Sequence, residues 1–243
     1  MMIDFSRQRF PIGLMAASFL MLLGPMMTPA QQLDAASAIQ MVDAAVKVRV
    51  ESIAVYTVTE HYAVYRGNDE THPVAEMTVN TTYRKDTGKS YTILSQSGSG
   101  IIRSLVLGSI LDNEVRLNKP GIREGAWVTS ANYEMKLRPS GPQQLNGRDC
   151  LVLALTPKRK TPYLIEGTLW VDSKDGSIVQ VQGTASKSAS FLTGPTQLMR
   201  QYANVNEFPQ AMHVRAASNS LMLGTTIVKI DYQDYKVQLI PLK

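Results

Sequence analysis

The sequence predicts an α+β protein, mainly β with helices, built on an antiparallel sheet. Three observations carry this reading. Runs rich in Val, Tyr, Thr and Leu recur along the chain, separated by clusters of Gly, Asn, Asp and Ser. Only two segments have helical length. No strand–helix–strand rhythm appears, so nothing supplies the crossovers that a parallel sheet needs. Of the 243 residues 44% are hydrophobic, enough to form a core, and 19% are charged, below the usual ~25%. The formal net charge of +5 comes without a long Lys/Arg block, so no nucleic-acid groove is expected.

The elements follow in order. Arg7 and Arg9 precede an apolar run from Ile12 to Leu23, which Gly24 and Pro25 interrupt before Met26-Met27-Thr28-Pro29-Ala30. A positive start, a short apolar middle and a small-x-small ending mark a secretory signal peptide, here residues 1–30 with the cut after Ala30. The run is too short for a membrane span, which takes roughly 20 apolar residues. The single cysteine, Cys150, is far from the cut, so no lipid anchor is expected. The mature chain is expected to be one domain, residues 31–243.

Leu33 to Val48 reads as a helix, with Leu33, Ile39, Val42 and Val46 at helical steps and Asp34 as its N-cap. Ile53 to Tyr65, Val74 to Arg84 and Tyr91 to Ser95 read as a three-stranded meander. Ile101 to Leu111 is helix-length and apolar almost all round. A surface helix shows a polar face, so this one is expected to be covered or to cover something apolar. Strands resume at Tyr133 to Leu137 and Cys150 to Thr156, with Asn146-Gly147 as a hairpin turn. Leu164 to Asp172 and Ser177 to Gly183 flank the turn Ser173-Lys174-Asp175-Gly176, the clearest hairpin in the chain. Met212 to Leu221 and Thr225 to Val237 form a final pair joined near Gly224. The expected total is nine or ten strands and two main helices.

Catalytic patterns are absent. His61, His72 and His213 form neither HxxxH nor HExxH, and there is no GxSxG or SxxK. Thr87-Gly88-Lys89-Ser90 looks like the end of a phosphate-binding loop, but Tyr83 stands where the first glycine belongs, and the segment reads as a hairpin turn. One cysteine excludes an internal disulfide and a Cys-based metal site. Cys150 lies in an alternating apolar run and reads as a small core residue. Lys158-Arg159-Lys160 reads as a solvated loop. The expectation is a non-enzyme with no cofactor and no metal.

The second half carries a resemblance. Gly147-Arg148 leads into Leu151-Val152-Leu153 and Thr156-Pro157; Gly167-Thr168-Leu169-Trp170-Val171-Asp172 follows, with a return strand Ile178 to Gly183 and a terminal Ile230-Asp231-Tyr232. This order resembles the outer-membrane lipoprotein-sorting (LolA/LolB-like) proteins of Gram-negative bacteria, especially their divergent branch, from Leu33 to Val237. The resemblance implies a single antiparallel sheet curled into an incomplete β-barrel, with helices over its open mouth and acyl chains on its inner surface. It implies a periplasmic protein acting as a carrier in lipid or lipoprotein trafficking. Its partners would be a lipid or lipidated protein and membrane-bound donor or acceptor proteins, with no nucleic acid, and the expected state is a monomer. The alternative on the same fold is a periplasmic regulatory or protein-interaction module of the anti-sigma-regulator type; a hydrolase comes third.

Within that picture the helix becomes a lid. Ile101, Ile102, Leu105, Val106 and Ile110 are expected to turn an apolar face onto the concave side of the sheet, with Leu107 and Leu111 as core. Gly98 and Gly100 would serve as a hinge. Trp170 is an anchor on the hairpin and the one candidate cavity residue outside the helix. Arg84 and Arg103 are candidates for the arginine that pins the helical cover.

Overall fold

The computed structural model describes residues 34–67, 69–139, 143–188, 194–221 and 223–241. The signal peptide and its cut lie outside the described residues. The described residues begin with helix α1 (Ala35–Ser52). Asp34 caps it, accepting the Ser37 backbone N–H at 2.8 Å, as Asp does where the first-turn donors have no helical partner. Three strands follow, β1 (Ile53–Arg66), β2 (Ala75–Arg84) and β3 (Gly88–Gly98). The second helix, α2, spans residues 100–117: a single α-turn Gly100–Ile102, a π-helical stretch Arg103–Gly108 and an α-helix Ser109–Leu117.

The remaining strands are β4 (Tyr133–Leu137), β5 (Gln143–Leu145), β6 (Arg148–Pro157), β7 (Ile165–Asp172), β8 (Ile178–Ala185), β9 (Gln197–Val205), β10 (Phe208–Ser220) and β11 (Gly224–Leu239). All belong to one antiparallel sheet in the order β3-β2-β1-β11-β10-β9-β8-β7-β6-β4, with β5 beside β6. The sheet is not closed, since β3 and β4 are its two ends. The expected meander β1–β2–β3 is present. So is the hairpin of β7 and β8, paired from Ile165↔Ala185 to Val171↔Ile178. Asn146 and Gly147, with φ of 52° and 74°, make the tight turn between β5 and β6.

Alternation along the strands sorts the core into two clusters. One gathers Val58, Tyr62, Val79, Val214, Val228 and Ile230 beneath α2. The other gathers Leu153, Leu155, Leu164, Leu169, Val171 and Val181 beneath α1, whose Val42 joins it. Each fully buried Leu or Val contributes about 1.5–3 kcal/mol. Between β7 and β8 the backbones come close at Gly167, which pairs with Gly183. A Cβ on Gly167 would meet the Gln182 carbonyl oxygen at 2.2 Å, and one on Gly183 would meet the Glu166 carbonyl oxygen at 2.2 Å. Only a pair without side chains permits this approach.

Candidate functional site

Between the two clusters, where α1 and α2 face the middle of the sheet, lies a cavity of about 480 Å³. Small-molecule sites run roughly 300–1,000 Å³. Its floor is aliphatic, with Val214, Val228 and Ile230 on one side and Ile165 and Ile178 on the other. Val46 and Val50 of α1 and Ile110 and Leu117 of α2 close it from above. One wall is aromatic. Tyr56 stacks on Tyr83 with ring centres 4.9 Å apart, and Tyr235 lies 5.9 Å from Tyr56 and 6.4 Å from Tyr232. Burial pushes the Tyr232 and Tyr235 hydroxyls above their usual pKa, so this wall carries no charge near neutrality.

Charged groups are set into this apolar lining. Lys89 of β3 reaches Glu114 of α2, Nζ to Oε2, at 2.8 Å, and lies 3.9 Å from Glu60 Oε1. Glu60 in turn accepts the Tyr62 hydroxyl. The Lys89 charge holds the Glu114 carboxyl at about 2 against its burial, with help from Arg200 and Asn118. Burial is the largest single influence on Lys89 and works against its charge, but Glu114, Tyr56, Glu60 and Tyr232 together hold it well above the ordinary lysine value. The pair is therefore ionised across the physiological range, and it ties α2 to the edge strand.

Two arginines fix the rest of the cover. Arg49 of α1 donates from Nε to the Pro209 carbonyl at 2.8 Å and from Nη2 to Gln210 Oε1 at 3.0 Å. Arg123, in the loop after α2, donates to the Tyr83 hydroxyl at 3.0 Å and the Lys85 carbonyl at 2.8 Å. Arg84 instead lies at the surface, 3.8 Å from Asp86, and Arg103 sits in the π-helical stretch. Arg49 thus ties α1 to β10.

The candidate lid residues divide. Ile102 is buried in the cluster beneath α2, Val106 and Ile110 are half-buried against it, and Ile110 lines the cavity. Ile101 and Leu105 correct the expectation: they are 70% and 55% exposed and point away from the concave face. The π-helical stretch explains the split. The buried positions Ile102, Leu107 and Leu111 step by five and then four residues. One face suffices to seat the helix, and Ile101 and Leu105 fall on the other. Trp170 does not line the cavity. Its neighbours Leu169 and Val171 occupy the core side, and Trp170, on the opposite face, donates from its indole N–H to Gln143 Oε1 at 3.2 Å.

The residue that sequence reasoning missed is Arg200. It sits on β9, between Val181 of one cluster and Val214 of the other, and lines the cavity. Its Nε is buried without a hydrogen-bond partner. Lys89 was visible only as a turn residue, although it is the first cavity-facing side chain of β3. Among the described residues no group of three or more His, Cys, Asp or Glu is placed to hold a metal, and no helix is long and apolar enough to cross a membrane.

No protein-family model and no curated protein matches the chain. Solved structures do. A LolA superfamily protein from Nitrosomonas europaea is 11% identical, with a TM-score of 0.43 over 85% of this chain and 94% of that one. An outer membrane lipoprotein-sorting protein domain from Vibrio parahaemolyticus is 13% identical, with a TM-score of 0.48 over 84% and 94%. A DUF1329 family protein from Desulfovibrio piger is 13% identical, with a TM-score of 0.40 over 82% and 92%. At these identities and TM-scores no role is carried over, and the functional reading rests on the cavity.

Proposed function

We propose that this protein is an exported carrier that holds a hydrophobic ligand, a lipid or the acyl chain of a lipidated protein, in the cavity of its half-barrel. The single observation that carries the reading is the cavity of about 480 Å³ with its aliphatic floor and aromatic wall. Burying an acyl chain there gains about 0.8 kcal/mol per CH₂, so binding needs no catalytic group. The Lys89–Glu114 pair and the Arg49 contacts hold the two helices at the rim, and their release is the route by which a ligand enters. In this reading residues 1–30 direct export, with cleavage after Ala30, and the carrier works in the periplasm.

The test is a fluorescence titration of the purified mature chain with N-phenyl-1-naphthylamine, a neutral apolar dye. The reading predicts saturable binding with enhanced emission, abolished by Ala216→Phe, which fills the cavity from its floor. Absence of a saturable site in the wild type contradicts it.

One observation favours a second reading, a protein-interaction module. β3 ends the sheet, and Ile93 and Leu94 on it are exposed, as are Ile101 and Leu105 on the helix that follows. A free edge strand is a template for pairing with a partner. In that reading the dye finds no saturable site.

A further inference from the structure

The charged side chains on the cavity wall are Arg49, Lys89, Glu114, Arg123 and Arg200. Lys89 is paired with Glu114 and Arg123 with Glu124, at 2.8 and 3.3 Å. Glu60 stands behind Lys89 and is not on this wall. Arg49 donates to neutral groups, the Pro209 carbonyl and Gln210 Oε1, and Arg200 feels Tyr202 and the Glu114 carboxylate without a carboxylate of its own among the described residues.

Two residues of the cavity lining each carry a buried polar atom without a hydrogen-bond partner, Arg200 Nε and Gln210 Nε2. They lie on neighbouring strands, β9 and β10, in the centre of the sheet. The orientation of the Gln210 amide is fixed, because its Oε1 accepts from Arg49 Nη2 at 3.0 Å; its NH₂ must therefore face the other way. Both unpartnered atoms are donors, so the group that satisfies them is an acceptor. One belongs to a guanidinium in an apolar surrounding, so an anionic acceptor is favoured over a neutral one.

At about 480 Å³ the cavity is within the range of small-ligand sites and has room for an acyl chain with its head. We propose, building on the carrier reading, that the ligand is an amphiphile whose anionic head, a carboxylate or a phosphate monoester, is held at Arg200, with Gln210 of the neighbouring strand as a further donor. Its tail runs along Val214, Val228 and Ile230 beneath Ile110. The cavity thus binds the head inside the protein and not at its mouth.

The test is displacement of bound N-phenyl-1-naphthylamine by dodecanoate, dodecyl phosphate and dodecanol, whose tails match. Charge-assisted hydrogen bonds predict that at least one of the two anions displaces the dye at about tenfold lower concentration than dodecanol. Which anion does so assigns the head as carboxylate or phosphate. Arg200→Gln is expected to bring that anion to the level of dodecanol while dodecanol itself is unchanged. Because the variant removes a buried charge, its fold is checked by circular dichroism, and the wild-type series decides the matter without it. Dodecanol displacing the dye as well as both anions overturns this inference and leaves the carrier reading standing, as does a folded Arg200→Gln chain that keeps the anion preference. A wild-type chain with no saturable dye site overturns both.

Discussion

Lys89 and Glu114 form a 2.8 Å ion pair that joins the edge strand to the second helix at the rim of the cavity. Glu114 is held at about 2, against 4.5 for an ordinary glutamate. A depressed carboxylate stabilises the folded state above its unfolded pKa and loses that contribution as pH falls through the folded one. The pair is therefore expected to contribute fully above about pH 5, and on the order of 2–3 kcal/mol is expected to disappear as pH falls from 4.5 towards 2. Urea unfolding across this range measures it, and Glu114→Gln should flatten the profile over the same interval.

Removing the cation is expected to cost more than removing the acid. Lys89→Met takes the lysine charge from the buried Glu60 and leaves Glu114 only Arg200 and Asn118. Breaking a buried pair from one side costs about 3–5 kcal/mol. A loss well under 1 kcal/mol in denaturant unfolding would show that solvent already screens the pair.

The close approach of Gly167 and Gly183 gives a third stability prediction. A methyl group on Gly167 would sit 2.2 Å from a backbone oxygen, and backbone cannot rotate aside. Gly167→Ala is expected to destabilise by about 1–3 kcal/mol or more, the range for overpacking. Thermal unfolding of the single variant tests this directly.

The two faces of the second helix predict opposite outcomes for one chemical change. Leu105→Asp falls on an exposed position and is expected to leave folding within about 0.5 kcal/mol. Leu107→Asp places a charge where the side chain is fully buried, and is expected to unfold the protein. If Leu105→Asp unfolds the chain as Leu107→Asp does, the outer face of this helix is covered.

Export makes a separate prediction. The protein recovered from the periplasm of a Gram-negative host is expected to begin at Gln31, read by N-terminal sequencing. A start at Met1, or one more than about two residues from Gln31, contradicts the signal-peptide assignment.

The sequence was legible where period and turn chemistry agreed. The hairpin of β7 and β8 announced itself through Ser173-Lys174-Asp175-Gly176, and Asp34 marked the start of the first helix. β9 was not seen, and its residues explain why. Arg200, Gln201 and Asn204 interrupt the apolar alternation, although Arg200 is one of the side chains that face inward. The turn into β10 has no glycine; Asn206 and Glu207 take the positive φ values of 49° and 70°, so nothing in composition marks a hairpin there. The strand that broke the pattern is the one that brings a charge to the cavity. The helix failed in the opposite way. Its apolar residues all round suggested full cover, whereas the π-helical stretch selects one buried face and leaves Ile101 and Leu105 in solvent.

The central claim is that the half-barrel cavity holds a hydrophobic ligand. Native mass spectrometry of the mature protein, purified from the periplasm without detergent, tests it most directly. The account predicts a species heavier than the bare chain by one acyl-bearing molecule, released on denaturation and missing from Ala216→Phe. A wild-type spectrum containing only the bare chain, still unable to take up added dodecanoate or N-phenyl-1-naphthylamine, would contradict it.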